Sequence, residues 1–199
     1  MMSIKSFAGL TLASTLSLAP QLASAATPAT LVSLDPALGQ LPESITSDAA
    51  GNLYISIGTS IGKVTPAGVV STFANLPVPG GSFTSGLKFG PDGYLYAATA
   101  GFTPDPAVAF VWRISPNGSQ VEEYAELDPN GFPNDLAFDE EGNLYVTDPF
   151  LAQIWKIDED GEADVWLNHP LLAANFENPY LVISPFGVDG IAFDKHHEN

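Results

Sequence analysis

Leu136 to Thr147 reads LAFDEEGNLYVT, and the same phrase stands at Ile45 to Ser56 (ITSDAAGNLYIS) and at Leu87 to Ala98 (LKFGPDGYLYAA). It opens once more at Ile191 (IAFDKHHEN), so the starts lie 42, 49 and 55 residues apart. A phrase recurring at such intervals marks a repeat architecture. In each complete copy a turn glycine (Gly51, Gly93, Gly142) stands six residues after the first apolar residue, and an aliphatic-aromatic strand follows. That spacing predicts a β-hairpin in every repeat.

Each copy then carries a basic residue, a β-branched residue, a short polar turn and a glycine: Lys63-Val64 to Gly68, Arg113-Ile114 to Gly118, Lys156-Ile157 to Gly161. This is a third strand turning into a fourth, and the fourth strands read Val70 to Leu76, Val121 to Leu127 and Ala163 to Leu167. Four antiparallel strands in a unit of this length make a propeller blade. The expected fold is all-β, a β-propeller with blades at about 43–78, 85–130 and 134–170 and the start of a fourth at 189–199.

The N-terminus carries Lys5, an apolar stretch from Phe7 to Ala19, and Ala23-Ser24-Ala25, which has the form of a small-residue cleavage site. Residues 1–25 read as a secretory signal peptide. Pro20 interrupts a segment too short for a membrane span of roughly 20 residues. The expected location is secreted or periplasmic, with no membrane partner after cleavage. Removal of residues 1–25 leaves five Lys or Arg against 23 Asp or Glu, a formal charge of −18 compared with −17 for the whole chain. Such a surface repels nucleic acid and anionic membrane and suits cations, while equally serving as a solvated, self-repelling exterior. With no cysteine in the chain, disulfides, zinc-thiolate sites and thiol nucleophiles are excluded.

A closed propeller takes at least four blades of roughly 40–50 residues. Here three blades and a stub are expected, with Thr30 to Leu38 (TLVSLDPAL) resembling the fourth strand of a blade, as in Val121 to Pro129 (VEEYAELDP). The sequence reads as a fragment or a truncated frame; a half-ring that pairs with another half is the alternative. Either way, open strand edges and apolar faces predict self-association.

Residues two places before the first apolar residue of each innermost strand are related by the pseudo-rotation of the ring and converge on its axis. They are Glu43, Ser85, Asn134 and Asp189. Three of them offer carboxylate or amide oxygen, the ligand type of a hard cation such as Ca²⁺. Asn and Asp before a strand also cap turns, which is the alternative role for any one of them. The tetrads LPES (Leu41 to Ser44), TSGL (Thr84 to Leu87) and PNDL (Pro133 to Leu136), with GVDGI (Gly187 to Ile191) and the PFG of Pro185 to Gly187, resemble the senescence marker protein/gluconolactonase/luciferin-regenerating-enzyme family. The resemblance implies a six-bladed propeller with a divalent metal, commonly calcium, in its tunnel, and hydrolysis of a sugar lactone or related ester. It implies Glu43, Asn134 and Asp189 as metal ligands, with Ser85 standing where an asparagine often appears. Asp189 is then the candidate for assisting the attacking water. Asp148, at the end of the second strand of blade three, is a further candidate at the tunnel mouth, or a turn cap. The rival to a hydrolase is a non-catalytic propeller of the NHL type acting as a binding platform.

Other signals are weaker. Gly58 to Gly62 spells G-x-S-x-G but joins two strands of a blade, not the strand and helix a serine-hydrolase elbow needs. Asp158-Glu159-Asp160-Gly161 aligns with the hairpin turn Ser115 to Gly118 and lacks the glutamate of a calcium loop. His169 precedes a proline in a loop, and His196 and His197 fall in the turn of the stub.

Overall fold

The computed structural model describes residues 30–101, 108–174 and 187–194. The expected signal peptide, His196 and His197 lie outside these. Among the described residues no helix is long and apolar enough to cross a membrane. The compact unit that follows residue 30 holds three four-stranded antiparallel sheets. Blade one comprises β1 (Ile45–Ser47), β2 (Leu53–Ile57), β3 (Ser60–Val64) and β4 (Val70–Asn75). Blade two comprises β5 (Ser82–Phe89), β6 (Leu95–Gly101), β7 (Ala109–Ile114) and β8 (Val121–Glu126). Blade three comprises β9 (Leu136–Phe138), β10 (Leu144–Asp148), β11 (Gln153–Ile157) and β12 (Ala163–Asn168). Each is a meander in chain order, as the phrase and its sequel predict. β5 begins earlier than the sequence reading because β6 runs to Gly101 and pairs with Ser82 to Thr84 across a bulge.

The hairpin turns are built by side chains. Asp48 accepts from the amides of Ala50 and Asn52, from Asn52 Nδ2 at 2.7 Å and from the Tyr54 hydroxyl at 3.0 Å. Asp139 does the same for Asn143. In blade two, where Gly90 replaces that aspartate, Asp92 takes over, accepting from the Tyr94 amide, the Tyr96 hydroxyl and the Arg113 guanidinium at 2.8 Å. The bond to Asn52 leads in holding the Asp48 carboxyl below the usual 3.8. Burial works to raise Asp92 and Asp139, but Arg113 with the Tyr94 amide, and Asn143, outweigh it and leave both lowered.

Blade stacks on blade through a repeated aromatic wedge. A bulge sits at the same place in every third-to-fourth strand pair, between Ile61 and Gly62, Val111 and Trp112, and Ile154 and Trp155. It leaves Phe73, Tyr124 or Trp166 as the extra residue of the fourth strand, a local kink that re-aims a side chain. Each packs edge-on against the tyrosine of its own second strand at 4.8, 5.0 and 5.2 Å (Tyr54, Tyr96, Tyr145). That tyrosine in turn meets a phenylalanine of the next innermost segment, Phe89, Phe138 or Phe193, each at 5.0 Å. Such geometry is worth about 0.5–1.5 kcal/mol per pair beyond area burial. Between the wedges lie fully buried aliphatics such as Ile61, Leu95 and Ile114 at one seam and Leu136, Leu144 and Ile157 at the next, each worth ~1.5–3 kcal/mol.

Two glycines are required by this stacking. Gly118 (φ 73°) and Gly161 (φ 86°) turn the third strand into the fourth, and a β-carbon there would strike the carbonyls of Phe73 and Tyr124 on the preceding blade. At blade one the equivalent Gly68 lies against Leu31. Residues 30–35 form no strand, and Pro36–Leu38 is a 3₁₀ helix capped by Asp35. Residues 187–194 also form no strand, yet they dock on blade three: Val188 N–H donates to Leu172 O at 2.8 Å, and Phe193 completes the third wedge.

Candidate functional site

The innermost strands β1, β5 and β9 and the segment 187–194 all enter the sheet stack from one end, here called upper; the first-to-second and third-to-fourth turns lie at the lower end. Of the four expected axial residues, Glu43 and Asn134 precede β1 and β9, Ser85 lies within β5 at its bulge, and Asp189 lies in the segment 187–194.

The structure brings two of them together. The Asn134 side-chain amide, 7% exposed, donates through Nδ2 to Asp189 Oδ1 across the seam from blade three to the fourth segment. Asn134 is itself fixed by its backbone amide, which donates to Thr147 O at 2.8 Å. Ser85 turns aside: its hydroxyl donates to Pro133 O at 2.6 Å and to Ala98 O at 3.3 Å. It therefore serves the seam between blades two and three. Glu43 is exposed, and its bond here is made by its backbone, donating to Ser56 Oγ at 3.1 Å. No bond joins its carboxylate to Asn134 or Asp189 among the described residues. Asp148 is fully buried, its carboxylate accepting from the amides of Phe132 (2.9 Å), Phe150 (3.2 Å) and Leu151 (3.1 Å) and from Trp155 Nε1 (3.2 Å). Four N–H donors satisfy the charge, so this side chain shapes the loops at the upper face. A β-carbon on Gly131 would collide with it.

Sequence reasoning passed over the residues that hold Asp189. Thr147, fully buried on β10, donates its hydroxyl to Asp189 O at 2.6 Å and accepts from the Asp135 amide at 3.0 Å. Asp135 Oδ2 accepts from Ile191 N–H at 2.9 Å. Their signal lay in the repeated phrase, whose last residue is a hydroxyl in copies one and three (Ser56, Thr147) but alanine in copy two (Ala98).

The oxygen chemistry of the pair fits a hard divalent cation in part. An amide and a carboxylate converge on one point, and turning the Asn134 amide over would present two oxygens there, since O and N of that group are an assignment. Six to eight oxygens are needed, so water, carbonyls or further donors must supply the rest. No group of three or more His, Asp or Glu side chains able to hold a metal occurs among the described residues. A hollow of about 940 Å³ lies at the lower end, between Phe89, Phe138, Tyr145, Phe193 and the acids Asp139 and Glu140. Its walls are largely wedge and turn residues already engaged in stacking, which leaves the upper end, where Asn134 meets Asp189, as the candidate site.

Three meandering sheets stacked about an axis define the chain as β-propeller in class. Known family profiles and curated proteins give no match. Among solved structures, the chain is similar to a catalytically inactive H270A virginiamycin B lyase from Staphylococcus aureus with quinupristin, at 20% identity and a TM-score of 0.56, covering 66% of this chain and 42% of that one. It is likewise similar to XC5397, a gluconolactonase from Xanthomonas campestris (15% identity, TM-score 0.56, 78% and 51% covered). A calcium-binding protein, regucalcin, from Agrobacterium tumefaciens gives 16% identity and a TM-score of 0.56, with 77% and 50% covered. The chain spans about half the length of these structures. At such identities the likeness is one of fold, and it includes structures of the kind that the sequence resembles.

Proposed function

We propose that the chain belongs to an exported, divalent-cation-dependent hydrolase of small lactones or related esters, with Ca²⁺ as the cation. The observation that carries this reading is the convergence of Asn134 and Asp189 at the upper end of the innermost segments. Two independent blades deliver oxygen-bearing side chains to one point, in the register that the repeat assigns to the axis. A gluconolactonase and a calcium-binding regucalcin among the structural neighbours support the same reading.

Asn134 and Asp189 would hold the cation, with Glu43 as a further donor and water at the remaining blade, where the Ser85 hydroxyl is engaged by the seam. When bound, such an ion acts as a Lewis acid toward the ester carbonyl. The chain itself supplies position and a base. Among the described residues the Asp189 carboxylate is engaged through Oδ1, so Oδ2 would be the oxygen to take a proton from water. Pairing of amide with carboxylate also favours a second reading, an NHL-type binding platform, because each group satisfies the other without a cation. Calorimetry with Ca²⁺ and a lactone hydrolysis assay separate the two: the hydrolase binds the ion and turns over lactone, and the platform does neither.

The ligand is a small molecule, with nucleic acid and membrane excluded on charge. Export after cleavage near Ala25 gives a secreted or periplasmic protein, and mass spectrometry of exported material retaining Met1 would overturn it. Val69 and Val70 on blade one and Trp166 and Val165 on blade three are about half exposed or more, which supports self-association through the open faces.

A further inference from the structure

We propose that Asp135 and Thr147 form a clamp that aims the Asp189 carboxylate at Asn134, making both positioning residues for the divalent cation; the inference rests on the cation reading above. Asp189 lies in the segment 187–194, which is not a strand and is exposed at Asp189 itself. An exposed carboxylate on irregular backbone has no reason to keep one orientation unless the peptide around it is fixed. Here it is fixed on both sides of Gly190. Thr147 Oγ1 donates to the carbonyl of Asp189 at 2.6 Å, and Asp135 Oδ2 accepts from the amide of Ile191 at 2.9 Å. The two anchors are tied to each other, because the Asp135 amide donates to Thr147 Oγ1 at 3.0 Å and the Thr147 amide to Asp135 O at 3.1 Å. Asn134, the residue before Asp135, is held by the same threonine through its carbonyl. One buried hydroxyl residue and one carboxylate thus set both halves of the pair.

Stacking alone does not call for this. The seam between blades two and three closes with Gly86 and Ala98 at the equivalent positions, the backbone of Asn134 and Asp135 pressing directly on Gly86. The seam between blades one and two uses a neutral version, Ser44 Oγ accepting from Leu87 N–H at 3.0 Å while Ser56 Oγ serves the amides of Glu43 and Ser44. Only where a carboxylate of the axial register needs aiming does the clamp combine a charged acceptor with a hydroxyl donated to the carbonyl of that residue. Outer partners of ligands typically change metal affinity 10–100-fold when removed.

The test uses the full chain, with Ca²⁺ affinity measured by calorimetry and by Tb³⁺ luminescence, and stability of each variant measured in chelator. Thr147→Val and Asp135→Ala are expected to weaken Ca²⁺ binding about tenfold or more, while Thr147→Ser and Asp135→Asn, which keep the hydroxyl and an acceptor, stay within about threefold. A folded Thr147→Val that binds Ca²⁺ as the parent does would reduce the clamp to a seam staple and overturn the inference. If Thr147→Val fails to fold, the comparison of Asp135→Ala with Asp135→Asn decides, equal affinities overturning it. A folded parent that takes up no Ca²⁺ overturns the cation reading and the inference together, whereas a binding parent with indifferent variants sinks the inference alone.

Discussion

The lower and upper halves of the seams between blades are built on different plans. Below, the same three-ring wedge recurs three times with tyrosine at its centre and ring spacings that vary by only a few tenths of an ångström. Above, no two seams agree: serines at the first, glycine against backbone at the second, an aspartate-threonine clamp at the third. Repetition where packing rules, and divergence where polar groups close the upper seams, separates the part of the repeat that makes the fold from the part that is free to vary.

The comparison breaks first at the wedge. Tyr96→Ala should cost about 3–5 kcal/mol by denaturant unfolding, because its ring is buried between Tyr124 and Phe138 and its hydroxyl is bound by Asp92. Tyr145→Ala should cost clearly less, since its partners Trp166 and Phe193 are 54% and 42% exposed. Equal losses would mean that the wedges do not stabilise through burial. Neither change should alter an upper-end response to Ca²⁺ in protein that remains folded.

Asp148→Ala comes next, at about 2–3 kcal/mol, since four N–H donors lose their acceptor in a buried place. Asp148→Asn, with one acceptor oxygen retained, should fall between. At the site itself, a cation at 100 times its dissociation constant stabilises by about 2.7 kcal/mol, a shift of several degrees in a thermal melt. Asp189→Ala should remove that shift while leaving the chelated protein nearly unchanged; Asp158→Ala, whose carboxylate only caps a hairpin by accepting from the Asp160 and Glu162 amides, should leave it intact.

The smallest effect is acid sensitivity at the lower turns. Asp48, Asp92 and Asp139 have folded pKa values below 3.8, so their contribution is complete above that value and is lost as pH falls through the lower, folded value. Unfolding midpoints measured from pH 5 downward should decline below about pH 4, and less steeply in Asp92→Asn.

Blade length, strand order and the hairpin turns were legible because strands, turns and glycines follow a period that sequence shows directly. The register of the innermost segments was legible for the same reason, and it singled out Asn134 and Asp189, whose side chains meet. What it could not show was where each side chain turns. Ser85 finds a carbonyl of the next blade, and Asp148 is drawn inward by amides of two loops; both depend on contacts between segments far apart in sequence. Thr30 to Leu38 imitates a fourth strand in composition, but residues 30–38 form a bend and a short 3₁₀ helix, with the turn set by Asp35 and Pro36.

The bases are distributed unevenly along the axis. Lys63, Arg113 and Lys156 all stand near the ends of third strands, stacked on the faces of Tyr54, Tyr94 and Tyr145, and Lys88 borders the lower hollow. These are the Lys and Arg residues among those described, so the upper rim, with Glu43, Asp135 and Asp189, carries negative charge without a neighbouring base. Field lines focused there would raise the local concentration of cations and speed their capture, an advantage that fades as ionic strength rises and the Debye length shrinks to about 8 Å. An anionic ligand would meet the same rim as a kinetic barrier.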